Sequence, residues 1–285
     1  MFGFINVYKP KGITSHDVVA KLRRATKIKQ IGHTGTLDPF AEGVLPVCIG
    51  KATRLIEYLK DDKEYLATVQ FGAATNTFDT EGEFTSKSTQ KINRGDLEKE
   101  LENFRGEILQ TPPIYSALKV NGKKLYEYAR EGKSVEIEPR KVTIYKLELK
   151  SFDEATQMAE LLISCSKGTY IRSIANDLGQ NLGCGGYLTK LIRTKAGAFV
   201  VENSVKDFEN NVGQNLINPL EVIDLPKIEI TDSEHDKVLN GQAFIHNTSE
   251  NGTIILIYNS SIDAIALCEN NSIKVKKVFK WKRLY

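Results

Sequence analysis

The chain has 285 residues, 41% hydrophobic and 26% charged, with 21 glycines and 8 prolines. That balance supports a sizeable core and excludes a fibrous or disordered chain, and no apolar run approaches the roughly 18 residues of a membrane span. Net charge is only +3, yet basic residues cluster in "KLRRATKIK" (21–29), "LKVNGKK" (118–124) and "KVKKVFKWKR" (274–283); any one cluster reads most simply as a solvated face, while three favour a polyanionic partner.

In chain order, 1–8 reads as a short strand followed by the turn "KPKG". Thr14 and Asp17 stand three apart, as in a capping box, and Val18, Val19, Leu22 and Ala25 recur at helical spacing, so 15–27 is a helix with its basic side outward. After a glycine-rich loop, "GVLPVCIG" is a buried strand and "ATRLIEYLK" a short helix. "KEYLATVQFG" (63–72) alternates as a strand, "TNTFDTEGE" (75–83) is a polar loop, and "RGDLEKELENFRG" (94–106) is a helix with Leu97, Leu101 and Phe104 on one face.

Residues 109–132 enter through Pro-Pro, then run basic and aromatic before turning helical near Leu125. "RKVTIYKLELKSF" and "MAELLISCS" are strands. In "KGTYIRSIANDLGQNLG" the stripe Ile171, Ile174, Ala175, Leu178 and Leu182 marks a helix that Gly183 stops. From about Lys227 the texture shifts to short strands between Asn/Ser/Gly turns, which suggests a small appended β domain.

Three stretches are candidates for chemistry. In "GHTGTLDPFAEGVLP" (32–46) Asp38 precedes a proline, ordinarily a turn position. Here glycines 32, 35 and 43 permit close approach, while Leu37, Phe40 and Val44 tie the loop to the core, so one carboxylate can be held in a fixed direction beside a large ligand. Arg172, in "CSKGTYIRSI", lies off the apolar stripe in the first helical turn; from there it could pair with a distant carboxylate and keep it ionised, as nucleophilic or base chemistry requires. Tyr65, on a strand, is either a core aromatic or a platform for a nucleobase. Cys48, Cys165, Cys184 and Cys268 form no CxxC pair, which argues against a zinc site and a disulfide framework and for a reducing cytoplasm. The opening "MFGFINVYKPKG" lacks a secretory pattern, and no P-loop, HExxH, Rossmann glycine or Ser-His signature is present.

"GHTGTLDPFAEGVLPVCIGKATR", "KPKGITSHDVV", "KEYLATVQFGAATNTFDTEGE", "FRGEILQTPPIYSALKVNGKKLYEYAREG", "CSKGTYIRSIANDLG" and "LTKLIRTKAGAF" together resemble the bacterial TruB-type tRNA pseudouridine-55 synthases, in the family's order through about residue 225. The resemblance implies an α+β fold: a mixed, largely antiparallel sheet flanked by helices, in a catalytic domain over 1–225 with an RNA-binding insertion at about 105–135. A small PUA-like β domain over 226–285 follows. It implies that a T-loop uridine of tRNA is flipped out and isomerised, with Asp38 as the catalytic aspartate, Tyr65 stacking on the base and Arg172 paired with Asp38. Tyr170 and Leu191 would line the uridine pocket, His33 would hold the loop with its base extruded, and Asp79 would stand near the site. Lys9 is counted among the substrate-binding residues. No metal or organic cofactor, no membrane and no obligate protein partner are expected, and the protein is expected to be a cytoplasmic monomer. A tRNA-folding chaperone and a guide-dependent synthase are the alternatives. Tyr8 stands where many relatives carry Asn, and Ile192 where an arginine is common.

Overall fold

The structure, a computed structural model, describes residues 1–279. Its body is a nine-stranded sheet whose main path runs Gly3–Lys9, Glu42–Ile49, Gly186–Ala196, Lys63–Phe71, Met158–Cys165, Arg140–Asp153 and Gly106–Gln110. Ile31–His33 and Phe199–Val200 pair alongside. Every pairing is antiparallel except that of Gly186–Ala196 with Glu42–Ile49. This is the mixed, largely antiparallel sheet with flanking helices that the resemblance implies.

Helices cover one of its faces. Along Lys63–Phe71 burial alternates, sending Tyr65, Ala67, Val69 and Phe71 to one face, where they join Ile171, Ile174, Ala175 and Leu178 of helix Ile171–Asn181 and Leu97 and Leu101 of helix Arg94–Glu102. Each large aliphatic side chain so buried contributes roughly 1.5–3 kcal/mol. On the same face, over the other end of the sheet, Val18, Val19 and Leu22 of helix Ser15–Thr26 pack on Ile5, Val7, Leu45 and Val47. The Thr14–Asp17 capping box is formed, with Asp17 N–H donating to Thr14 Oγ1 at 3.0 Å and Thr14 N–H to Asp17 Oδ2 at 2.8 Å. Glu42–Ile49 reads as one continuous apolar run because it is sandwiched: Val44 and Cys48 enter one cluster, Leu45, Val47 and Ile49 another.

Two elements differ from expectation. "ATRLIEYLK" lies in a 3-10 helix, Gly50–Tyr58, rather than an α-helix. The central strand Gly186–Ala196 was not legible in "LTKLIRTKAGAF". Its register shifts after Leu188 and after Arg193, and the fully buried Arg193 occupies a position where an apolar residue would mark the alternation.

From Lys227 a second, five-stranded sheet runs in the order Lys227–Glu229, Gly252–Tyr258, Ser261–Glu269, Ser272–Val278 and Phe244–Ile245. Its hairpins turn at Asn259-Ser260 and Asn270-Asn271, all four at positive φ, as two-residue turns between right-twisted strands require. One face carries its own core around Ile254, Leu256 and Ala264. The other face sets Ile255, Ile265 and Phe279 against Phe4, Leu55 and Phe199 of the body. The last four residues of the basic run 274–283, and the end of the 226–285 segment, lie outside the described residues.

Helix Ile171–Asn181 is set by direct backbone contact. A Cβ on Gly179 would stand 2.0 Å from Gly186 N, and one on Gly186 would stand 2.5 Å from Ala175 O. Gly179→Ala is therefore expected to push the helix off the sheet and cost about 1–3 kcal/mol, read as a lowered thermal midpoint; an unchanged midpoint would contradict this contact.

Candidate active site

Asp38 sits in the loop between Ile31–His33 and Glu42–Ile49, and both of its neighbours are fastened by their backbones. The Ser15 hydroxyl accepts from Leu37 N–H at 2.9 Å and donates to Leu37 O at 3.0 Å. Pro39 O accepts from Gly12 N–H at 2.8 Å and from Lys9 Nζ at 3.4 Å. Two strand-to-helix features of the N-terminal segment thus hold the loop on either side of the acid.

The carboxylate meets Arg172, whose Nε donates to Asp38 Oδ2 at 2.8 Å. Arg172 Nη1 donates to Thr77 O at 2.9 Å and Nη2 to Tyr115 O at 3.0 Å. These partners explain why a residue lying off the apolar stripe is only 4% exposed instead of solvated. The Asp38 side chain keeps 35% of its surface open, and its Oδ1 accepts no hydrogen bond among the described residues. One oxygen is anchored and the other faces outward, the disposition of a carboxylate that can meet a ligand.

Asp79 completes the charge group from the loop 75–83. Its Oδ2 is 3.6 Å from Arg172 Nε, and its Oδ1 accepts from the Thr77 hydroxyl at 2.6 Å and from Glu81 N–H at 2.9 Å. Between Thr77 and Asp79, Phe78 takes φ 64°, a left-handed backbone uncommon for an aromatic residue. That kink lets Thr77 O and the Asp79 carboxylate approach the same guanidinium. Burial, followed by the negative charges of Asp79 and Asp38, raises the carboxyl of Glu81 above its ordinary range.

Tyr65 and Leu191 lie in the same apolar cluster as Leu37 and Phe40, which flank Asp38. The Tyr65 ring is only 8% exposed, and burial pushes its phenol up, opposed chiefly by the charge of Arg193. His33 ends the strand before the loop. Its Nδ1 is buried with no partner among the described residues, and burial followed by the charges of Arg193 and His16 lowers its pKa, so the ring is neutral at physiological pH. Tyr170 immediately precedes the Arg172 helix, and both its backbone N–H and its carbonyl are bonded to the Gln110 side chain.

Lys9 is a correction. Expected to bind substrate, it is fully buried and its Nζ donates to Pro10 O at 2.9 Å, Ile13 O at 2.8 Å and Pro39 O. With its ammonium enclosed by carbonyls it fastens the loop and cannot reach an RNA.

Arg193 is the residue that sequence reasoning missed. It is 1% exposed, with Nε donating to Val44 O at 2.6 Å and Nη1 and Nη2 to Thr36 O and Gly35 O, both at 3.2 Å. It therefore laces the loop to the central strand. Gly43 permits that approach, at φ 109° with a would-be Cβ 2.3 Å from Arg193 O. A charge inside the apolar run "LIRT" is the signal the sequence carries for it. Ile192 is half-buried in register with Leu66 and Glu42, a sheet position. Among the described residues no three His, Cys, Asp or Glu side chains converge as a metal-binding group, and no helix is long and apolar enough to cross a membrane.

The family model described as "TruB family pseudouridylate synthase (N terminal domain)" matches residues 23–171. A tRNA pseudouridine synthase B of Caldanaerobacter subterraneus is 44% identical over 283 residues, covering 97% of this chain and 99% of the relative. One of Carboxydothermus hydrogenoformans is 45% identical, covering 99% of each. Among solved structures, a chain of a Cbf5–Nop10–Gar1 complex superposes with a TM-score of 0.71 at 26% identity, covering 98% of this chain and 85% of that one. A chain of an H/ACA RNP bound to a substrate RNA containing 2′-deoxyuridine gives 0.71 at 25% identity, with 100% and 87% coverage.

Burial lowers the Lys9 ammonium from 10.5 to about 8. Between those values the unfolded chain binds more protons than the folded one, so stability rises with pH across that window. Measured against Lys9→Met by denaturant titration, the wild type should gain about 3 kcal/mol from pH 7.5 to pH 10.5. Parallel pH curves for the two proteins would refute the buried charge.

Proposed function

The chain belongs to the TruB family of pseudouridylate synthases, and we propose that it isomerises uridine 55 in the T loop of tRNA with Asp38 as its catalytic carboxylate. The 2.8 Å contact of Arg172 with Asp38, made by residues 134 apart in sequence, carries this reading. A molecule that only bound RNA would not require a half-open carboxylate steadied by a buried guanidinium.

The reaction breaks the bond from ribose C1′ to N1 and joins C1′ to C5; C5 gives up a proton and N1 receives one. Substrate and product are isomers, so the chemistry needs positioning and proton movement and no redox partner. A uridine inside a folded T loop exposes that bond only when it is everted. Tyr65 offers the ring that replaces lost stacking, worth about 1–3 kcal/mol, and Leu191 and Tyr170 line the pocket. His33, neutral at the loop's edge, braces the vacated space. Asp79 holds Arg172 from behind, and the outward oxygen of Asp38 meets the everted nucleotide.

The basic and aromatic insertion supports tRNA capture without a guide. Lys123 lies 4.9 Å from the Tyr128 ring centroid and Arg130 5.2 Å from that of Tyr126, which places cations and rings together on one short segment. The guide-dependent reading rests on neighbours only 25–26% identical. Relatives at 44–45% over the full length carry the tRNA synthase name, which favours a stand-alone enzyme. We place the segment 226–285 as a PUA-like RNA-binding domain on the strength of its basic strand Ser272–Val278. The reading extends to a monomer without an obligate protein partner. Four free, buried thiols fit a reducing cytoplasm.

Incubation of the purified protein with an unmodified T-stem-loop transcript, scored chemically for pseudouridine, should give product. Asp38→Asn should lower the rate by at least about a thousandfold with RNA affinity largely kept; a near wild-type rate from that variant would remove Asp38 from the mechanism. Affinity for the transcript should also fall steeply between 50 and 200 mM salt if about six phosphates are contacted, and a flat response would contradict the basic-surface reading.

A further inference from the structure

The segment that enters the basic insertion is bonded at Gln110, Thr111 and Tyr115 to Tyr170, Ser173 and Arg172 at the start of helix Ile171–Asn181. Gln110 closes the edge strand Gly106–Gln110 and is 2% exposed. Its Nε2 donates to Tyr170 O at 3.0 Å and its Oε1 accepts from Tyr170 N–H at 2.8 Å. Thr111 O accepts from the Ser173 hydroxyl at 2.9 Å, and Tyr115 O accepts from Arg172 Nη2 at 3.0 Å. The helix these bonds secure has no side-chain N-cap of its own.

The same root is tied to the insertion beyond it. Leu125 N–H donates to Leu118 O at 2.8 Å and Tyr126 N–H to Ser116 O at 3.1 Å, which fixes helix Leu125–Arg130 to the root. A continuous bonded path therefore runs from the cation-aromatic surface of the insertion through Ser116 and Tyr115 to Arg172 and on to Asp38.

We propose that Gln110 is a positioning residue that locks the Arg172 turn to the root of the insertion, so that capture of RNA by the insertion is transmitted to the Asp38–Arg172 pair. The inference rests on the function proposed above and adds to it the route by which substrate engagement sets the reacting carboxylate. Gln110 suits the task chemically because its amide carries a separate donor and acceptor, one for the carbonyl and one for the N–H of the same residue. A carboxylate would keep the acceptor and lose the donor, and a thioether would lose both. A displacement near 1 Å at the acid is enough to slow chemistry about a hundredfold while leaving remote binding contacts intact.

The test is single-turnover pseudouridine formation at saturating enzyme, with RNA affinity measured separately, for wild type, Gln110→Met and Gln110→Glu. Gln110→Met should slow the reaction roughly 10- to 100-fold with affinity within about twofold of wild type, and Gln110→Glu should fall between. In an Arg172→Lys background Gln110→Met should add little, because the effect runs through the guanidinium. Wild-type rates in either Gln110 variant would overturn the proposal, as would a loss confined to affinity or one that adds fully to Arg172→Lys. Should Gln110→Met fail to fold, Gln110→Glu carries the same comparison. Absence of product from the wild type would instead refute the proposed function.

Discussion

The ion pair of Arg172 with Asp38 is the constraint around which the other site contacts are arranged. A buried guanidinium is costly unless each donor edge is matched, and leaving one unmatched wastes several kcal/mol. Here a carboxylate and two backbone carbonyls from three distant segments supply the matches: the loop of Asp38, the loop of Thr77 and the root of the insertion. Arg172 thus fixes where three loops meet, the point at which the proposed function brings in an everted base. Asp79 adds a second negative charge at 3.6 Å, so the guanidinium is balanced even as Asp38 engages a ligand.

A second principle governs the loop itself. Lys9 and Arg193 approach it from two different strands, each buried and each donating to main-chain carbonyls instead of carboxylates. Loops rich in glycine leave carbonyls that no sheet partner satisfies, and a cationic side chain can satisfy three at once. The arrangement fixes the backbone without placing a competing acid beside Asp38. It also leaves positive charge near Tyr65 and His33, which opposes the effect of burial on the phenol and reinforces it on the imidazole.

The second sheet is joined to the body by more than a tether. Phe279 packs with Phe2 at 5.7 Å between ring centroids and lies under the Arg54 guanidinium at 5.3 Å, while Arg54 also donates to Val278 O at 2.9 Å. Lys277 bonds Glu57 and lies over the Tyr58 ring. The apolar face shared with Phe4, Leu55 and Phe199 means that removing the second sheet would expose core surface of the first.

Local rules were enough for the helices Ser15–Thr26, Arg94–Glu102 and Ile171–Asn181, because apolar periodicity, caps and terminal glycines act within a few residues of one another. The same holds for the alternating strands and for the Asn-rich hairpins of the C-terminal sheet, and local motif context together with the family resemblance singled out Asp38, Tyr65 and Arg172. Only the folded chain decided that Lys9 is interior, that Arg193 braces the loop, that Gln110 holds the Arg172 turn and that "LTKLIRTKAGAF" is the central strand. Each of those depends at least in part on a carbonyl or strand distant in sequence, such as Pro39 O for Lys9, and a polar side chain buried for the sake of such distant partners has the same local pattern as one left in water.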